Sequence, residues 1–291
     1  MLGALKYKCL NIVQMSNRIT KAELLTSAPI LANPCYVQPF LSLHNEDCLE
    51  TMGRIETGSV DLMLTDPPYN VTSIEWDNSI NVPAMWAEWE RILKPNGTWI
   101  FTANQPFASE LIMSRLGFFK YELIWDKVNH SNPFVAPYRP LPVHENILIF
   151  SRGKTTYNPQ KTFHGRVGKK SKNGKRLGEM FIHNGGDMKD YDGYGMPMTI
   201  QQFVKDSQNG MHSKEDMHPT QKPLKLFQWL VKTYSNENDL VFDGYSGSGT
   251  TAAACIKERR NFIGSEMNKE YFDLSVKRLT EISMMPELEL R

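Results

Sequence analysis

Short apolar runs alternate with amphipathic stretches along most of this 291-residue chain. Residues 40–44 (FLSLH), Val60–Thr65 (VDLMLT), Thr98–Thr102, Phe119–Asp126, Asn146–Ser151, Leu240–Asp243 and Asn261–Ser265 read as strands. Most are short, nearly continuous apolar runs, the pattern of strands buried on both faces. Between them, helical spacing predicts helices over Cys48–Ile55, Pro83–Leu93, Pro106–Leu116, Pro223–Tyr234, Thr250–Arg259 and Lys269–Ile282, with Lys94-Pro95-Asn96-Gly97 closing the second. Buried strands separated by helices predict an α/β fold: a doubly wound, mostly parallel sheet with helices on both faces. Two segments break the pattern. Residues 1–39 show no period and read as an N-terminal extension, with a short helix near Ser16–Leu25. Residues 152–217 are poor in apolar clusters, rich in Gly, Lys, Asn and Asp, and too long for a plain loop, so they read as an inserted small domain or lid. The expected division is 1–39, 40–151, 152–217 and 218–291, the second and fourth being two halves of one α/β domain.

Composition narrows the class. With 41% hydrophobic and 22% charged residues the chain is neither disordered nor collagen-like. No apolar run approaches the roughly 18 residues of a membrane span. The first 21 residues are too polar for a signal peptide, so a cytoplasmic protein without membrane association is expected. Cys9, Cys35, Cys48 and Cys255 are widely spaced with no CxxC pair, which signals neither a metal site nor a disulfide framework. The net charge of +1 hides a local excess. Arg152, Lys154, Lys161, Arg166, Lys169, Lys170, Lys172, Lys175 and Arg176 fall within residues 152–178, a window with no Asp or Glu, interleaved with Tyr157, Phe163 and His164. Such a stretch suits phosphate contacts, with stacking rings between them; a solvated basic loop is the plainer alternative. Residues 186–216 lean acidic and carry no assignment.

Two corners carry candidate chemistry, each just past the carboxyl end of a strand, where ligands gather in open α/β sheets. The first is TDPPYN, Thr65–Asn70. Two prolines fix the backbone and remove donors, so the turn presents acceptors: the Asp66 carboxylate and the Pro67 carbonyl, with Pro68 and the flat ring of Tyr69 beside them. That set suits a planar base bearing an NH2 group. The second is VFDGYSGSGTT, whose candidates are Phe242, Asp243, Gly244, Gly247, Ser248, Gly249, Thr250 and Thr251. The glycines let backbone approach a ligand. The turn lacks the Lys of a phosphate-binding loop and the spacing of a dinucleotide fingerprint. Glu266 ends the following strand 23 residues after Asp243, a placement suited to ribose hydroxyls. HPTQKP, His218–Pro223, precedes the late helix and reads as a pocket wall.

Taken together, these elements resemble the amino-methylating DNA methyltransferases that use S-adenosylmethionine, in the β-group order that places DPPY before the glycine turn. The likeness covers roughly residues 40–282 apart from the insert. It implies a Rossmann-like methyltransferase fold with an inserted target-recognition segment, duplex DNA as substrate, and a place in bacterial or phage restriction–modification, near the nucleoid. Asp66, Pro67, Pro68 and Tyr69 would be catalytic. Asp243, Gly247 and Gly249 would face the methionine part of the cofactor, with Thr250 and Thr251 opening the adjacent helix. Glu266 would hold the ribose, Asp47 and Cys48 would edge the adenine, and Lys222 would approach the cofactor carboxylate. His144-Glu145 resembles the family's later motif near the target base. The chain departs from the family at Gly244, where proline is common, a change expected to loosen the loop.

The resemblance implies direct transfer of a methyl group to an exocyclic amine of an extruded base, with Asp66 leaning the assignment to the 6-amino group of adenine. The 4-amino group of cytosine stays open as the alternative target. So do a non-catalytic DNA-binding module on this scaffold, a small-molecule or RNA enzyme, a homodimer and a partner nuclease. A cysteine nucleophile for carbon methylation would have to be Cys35, which lies outside the α/β region.

Overall fold

The apolar runs assemble into one eight-stranded sheet in a computed structural model that describes residues 40–68, 81–130, 133–163, 193–205 and 221–284. In chain order the elements are β1 (Leu41–His44), α1 (Cys48–Arg54), β2 (Val60–Thr65), α2 (Val82–Ile92), β3 (Leu93–Ala103), α3 (Phe107–Ser114), β4 (Phe119–Asp126), β5 (His144–Phe150), β6 (Thr162–Phe163), β7 (Tyr194–Gly195), β8 (Ile200–Gln202), α4 (Leu224–Tyr234), β9 (Leu240–Asp243), α5 (Thr250–Glu258), β10 (Asn261–Ser265) and α6 (Lys269–Met284). The sheet order is β1-β10-β9-β2-β3-β5-β4-β8. Within this sheet, among the described residues, only β5 runs antiparallel to its neighbours. The connection from β4 to β5 contains no α-helix to carry the chain back across the sheet, so the return strand runs the other way.

Side-chain alternation along each strand fills two cores. Met63, Trp99, Phe101, Leu148, Phe150 and Phe242 pack on one face with α1, α2 and α3. Leu62, Leu64, Ile100, Ile147, Ile149 and Val241 pack on the other with α4, α5 and α6. Trp86 of α2 meets Trp89, Trp99, Phe101 and Phe150 edge-on at 5.1–5.8 Å between ring centres. This double covering is why the strands read as continuous apolar runs.

Three details differ from the sequence reading. Lys94-Pro95-Asn96-Gly97 does not follow a helix as a plain turn. Leu93 already pairs with Val60 and Thr98 with Leu62, so the four residues bulge within β3, held by a Lys94–Asp61 ion pair. The three-residue β8 adds an edge strand beside β4, and IQQ is too short and polar to be read as one. The segment that forms a separate compact unit is Pro159–Met198, narrower than the expected insert; residues 152–158 and 199–205 belong with the sheet. In the described part of that unit β6 and β7 pair antiparallel, and Phe163 lies 5.3 Å from Tyr194. The helix expected near Ser16–Leu25 lies outside the described residues. No helix among the described residues is long and apolar enough to cross a membrane.

Strands β2 and β9 are parallel neighbours. The chain leaves β2 toward α2 on one face and leaves β9 toward α5 on the other. The winding reverses between them, which opens a crevice at their carboxyl ends. Both candidate corners stand at that crevice.

Candidate active site

A cavity of about 370 Å³ occupies the crevice, lined from both corners. Asp66 and Pro68 come from the β2 corner; Asp243, Gly244, Gly247, Ser248, Thr250 and Thr251 come from the β9 turn. Asp47 and Cys48 line it from the start of α1, Glu266 from the end of β10, and Lys222 from just before α4. Pro67 is buried between its neighbours. Tyr69 and His218 lie outside the described residues.

Hydrogen bonds tie the two corners together. Thr65 Oγ1, at the last residue of β2, donates to Asp243 Oδ1 at 2.7 Å. Thr251 Oγ1 donates to Asp243 Oδ2 at 2.5 Å, and the Tyr245 amide donates to Oδ1 at 3.0 Å. Among the described residues, Asp243 is thus met by three neutral donors and no cation. Full burial raises its pKa to about 6, with the Thr251 and Thr65 bonds restraining the rise. Gly247 and Gly249 adopt φ of +51° and +74°, a region that β-carbons disfavour. Glu266 accepts from the Gly247 amide and the Asn268 amide, both at 2.8 Å. Its carboxylate therefore stands fixed at the cavity wall, and burial raises its pKa. Asp47 caps α1 by accepting from the Leu49 amide at 2.8 Å.

Asp66 stands in the opposite electrical setting. Thr102 Oγ1, near the end of β3, donates to Asp66 Oδ1, and Lys222 Nζ lies 2.7 Å from Oδ2. Lys222 also reaches Glu145 Oε2 at 3.2 Å, and Lys127 Nζ lies 2.6 Å from Glu145 Oε1. Four charges of alternating sign run from the cavity into the protein. Burial opposes the charge on Lys222, but Asp66 and Glu145 outweigh it and raise its pKa. Burial likewise opposes the charge on Glu145, which Lys222 and Lys127 hold below the usual carboxylate range. Lys205 is lowered by burial and by the neighbouring Lys127.

The structure therefore brings most expected residues together and corrects a few. Phe242 points into the core beneath α1–α3, because alternation turns it away from Asp243. Gly249 faces α6, where an added Cβ would lie 3.1 Å from Ser275 Cβ. The Lys222 ammonium contacts protein carboxylates, Asp66 and Glu145. Gly244 does not leave slack: a Cβ there would approach Cys48 Cβ at 3.0 Å, so the α1 side chain fills the space instead. Burial raises the Cys48 pKa to about 11, which makes it a packing thiol. Arg152 sits where β5 ends and β3 begins, the far edge of the sheet from Asp66. Its guanidinium bonds the Leu93 carbonyl at 2.5 Å and covers the Trp99 ring, so it serves the fold. Lys154 and Lys161 are exposed; Arg166, Lys169, Lys170, Lys172, Lys175 and Arg176 lie outside the described residues. Residues not foreseen complete the wall: Met85, Phe227, Tyr245, Met267 and Tyr271 supply apolar and aromatic surface. Thr65 opens the TDPPYN motif but had no role assigned to it, and Thr102 and Lys127 carried no sequence signal, since single threonines and lysines are common.

A cavity with an acidic residue at the second strand tip, a glycine turn, and apolar walls fits a ribose-bearing cofactor with no phosphate at the turn. Comparison with known proteins agrees with that fit. Residues 60–277 match the family model described as DNA methylase, and the chain belongs to that family, the amino-group DNA methyltransferases. It is 31% identical over 250 residues to a type II methyltransferase, M1.MboII of Moraxella bovis, covering 79% of this chain and 92% of the relative. It is 29% identical over 257 residues to the DNA adenine methyltransferase YhdJ of Escherichia coli K12, covering 84% of each. Among solved structures it resembles M1.HpyAVI in complex with SAM, at 26% identity and a TM-score of 0.55, over 82% of this chain and all of that one.

Proposed function

We propose that this chain transfers a methyl group from S-adenosylmethionine to the 6-amino group of an adenine extruded from duplex DNA. One observation carries the reading. The Asp66 carboxylate and the glycine turn line one cavity, and the Thr65–Asp243 bond of 2.7 Å fixes the separation between them. S-adenosylmethionine, when bound, supplies a methyl group activated by a positive sulfonium. Glu266 would hold the ribose hydroxyls, Asp47 and Cys48 the adenine edge, and the turn from Asp243 to Thr251 the methionine end.

The chain's own work is at the amine. An exocyclic amine is a poor nucleophile because its lone pair is delocalised into the ring. Asp66 and the Pro67 carbonyl accept its hydrogens and favour a pyramidal nitrogen with a directed lone pair. That interaction strengthens as positive charge develops on nitrogen, so it stabilises the transition state more than the ground state. Thr102 and Lys222 hold the Asp66 oxygens in place for this task. Fixing the reacting groups in one crevice contributes a large part of the acceleration.

Adenine is favoured by the acidic residue at the head of the Pro-Pro motif and by the adenine methyltransferase among the relatives. The exposed Lys154 and Lys161, with the basic run that follows, are proposed to meet DNA phosphates. Duplex DNA incubated with cofactor labelled in the methyl group, then digested to nucleosides, tests the reading. Label in N6-methyladenine is expected. Label in 4-methylcytosine would move the target to cytosine, and an unlabelled digest would remove the activity.

A further inference from the structure

We propose that the turn joining β4 to β5 is a DNA wedge, and that the rings of Phe134 and Tyr138 enter the base stack beside the extruded nucleotide. The inference rests on the duplex-DNA reading above. Strand β4 ends at Asp126 opposite His144 of β5, and Asn146 of β5 pairs with Ala103 at the end of β3. Phe101 of β3 pairs in turn with Thr65. The turn, residues 127–143, therefore projects from the same sheet edge as Asp66. Its first residue, Lys127, is the inner end of the charge chain that reaches Asp66 through Glu145 and Lys222.

Phe134 and Tyr138 are 87% and 86% exposed, more than any other large hydrophobic among the described residues. Two such rings held in water beside a reactive site mark a contact surface. The described residues that hold them, 133–143, are constrained. Pro133, Pro137, Pro140 and Pro142 restrict their backbone. The Tyr138 and Arg139 amides both donate to the Val135 carbonyl, at 2.9 and 3.0 Å, and the Ala136 amide donates to the Pro133 carbonyl at 3.2 Å. At the base of the turn the Lys127 amide donates to the Val143 carbonyl at 2.8 Å. Beside it, Val128 is held at φ +66°, a strained conformation for a β-branched residue, by its amide bond to Asp126 Oδ1 at 2.8 Å. Strain of this kind persists where the surroundings enforce it, and it concentrates at functional segments.

Charge selects the partner. No Asp or Glu occurs between Asp126 and Glu145, while His130 and Arg139 are exposed on the turn and His144 follows it. A phosphate backbone meets no carboxylate on the turn itself; the nearest acid, Asp126 at its base, is engaged by the Val128 amide and Gln202. Extruding a base leaves an unstacked gap, and apolar or aromatic side chains are the groups that fill such gaps. Aromatic rings on a constrained backbone lose little freedom in doing so.

The test uses a duplex containing the site mapped by sequencing DNA that the wild-type enzyme has methylated, and the same duplex with a mismatch opposite the methylated base. Phe134→Ala and Tyr138→Ala should lower kcat/KM on the paired duplex by about 5- to 150-fold, the range that loss of one base stack gives. The mismatch, which opens more easily, should restore most of that loss. Phe134→Trp should retain activity, and affinity for S-adenosylmethionine should not change. Wild-type rates for the alanine variants on the paired duplex would overturn the inference, as would equal losses on both duplexes. A wild-type protein that methylates no duplex DNA would overturn the functional reading and the wedge with it.

Discussion

Asp66 and Asp243 end or follow adjacent parallel strands and line one cavity, yet their surroundings are opposite. Asp243 is buried among hydroxyl and amide donors, and its pKa rises to about 6. Asp66 is one-quarter exposed on its side chain and faces the ammonium of Lys222. A carboxylate that is buried and met on both oxygens by its own protein shapes a turn and presents almost no surface to a substrate. One steadied by a hydroxyl and a cation, with a face toward the cavity, can still accept from a ligand. The comparison separates scaffolding from chemistry at two positions that look alike in sequence.

The largest expected break comes from Lys222→Met. It removes the cation between Asp66 and Glu145 and leaves two carboxylates facing each other near the interior. Stability should fall by about 3–5 kcal/mol in chemical denaturation. Adding Asp66→Asn should recover part of that loss, because Glu145 keeps its Lys127 partner while Asp66 is the carboxylate left without its cation.

Asp243→Asn sharpens the other side through pH. The folded-state pKa of Asp243 is raised above its unfolded value near 3.8. Its ionisation therefore weighs against folding above about pH 6, and that penalty is absent below about pH 4. The stability of wild type relative to the variant should decline as pH rises from 4 to 6, by roughly 3 kcal/mol at most, and be level above pH 7. Thermal unfolding of both proteins across that range checks the sign.

Thr102→Val removes a neutral donor from Asp66 while keeping shape. About a tenfold loss in kcat is expected, with KM for the cofactor unchanged, since one hydrogen bond to a charged group is at stake. Smallest is Gly244→Ala. The new methyl must displace Cys48 Cβ, 3.0 Å away, and a cost of about 1 kcal/mol is expected in unfolding, with slightly weaker cofactor binding.

Much of this arrangement was legible in the sequence. Buried strands announced themselves because both faces are covered, and Val60–Thr65, Phe119–Asp126, Leu240–Asp243 and Asn261–Ser265 match their predicted bounds. The two corners were visible because proline and glycine mark backbone geometry directly. What joins them was not. Thr65 and Thr102 act through the register of β2 and β3 against their neighbours, and register is a property of paired strands. Lys222 was expected to meet a cofactor carboxylate; its partners Asp66 and Glu145 come from distant parts of the chain, so only folding reveals them. The inward turn of Phe242 was readable in principle, since alternation from Asp243 dictates it.

The central claim is tested most directly by measuring single-turnover methyl transfer and S-adenosylmethionine affinity together for Asp66→Asn and Asp243→Asn. The account predicts that Asp66→Asn lowers transfer by about 100- to 1000-fold with affinity retained, and that Asp243→Asn weakens affinity while transfer at saturating cofactor stays within about tenfold of wild type. The reverse pattern, or equal losses from both variants, would contradict it.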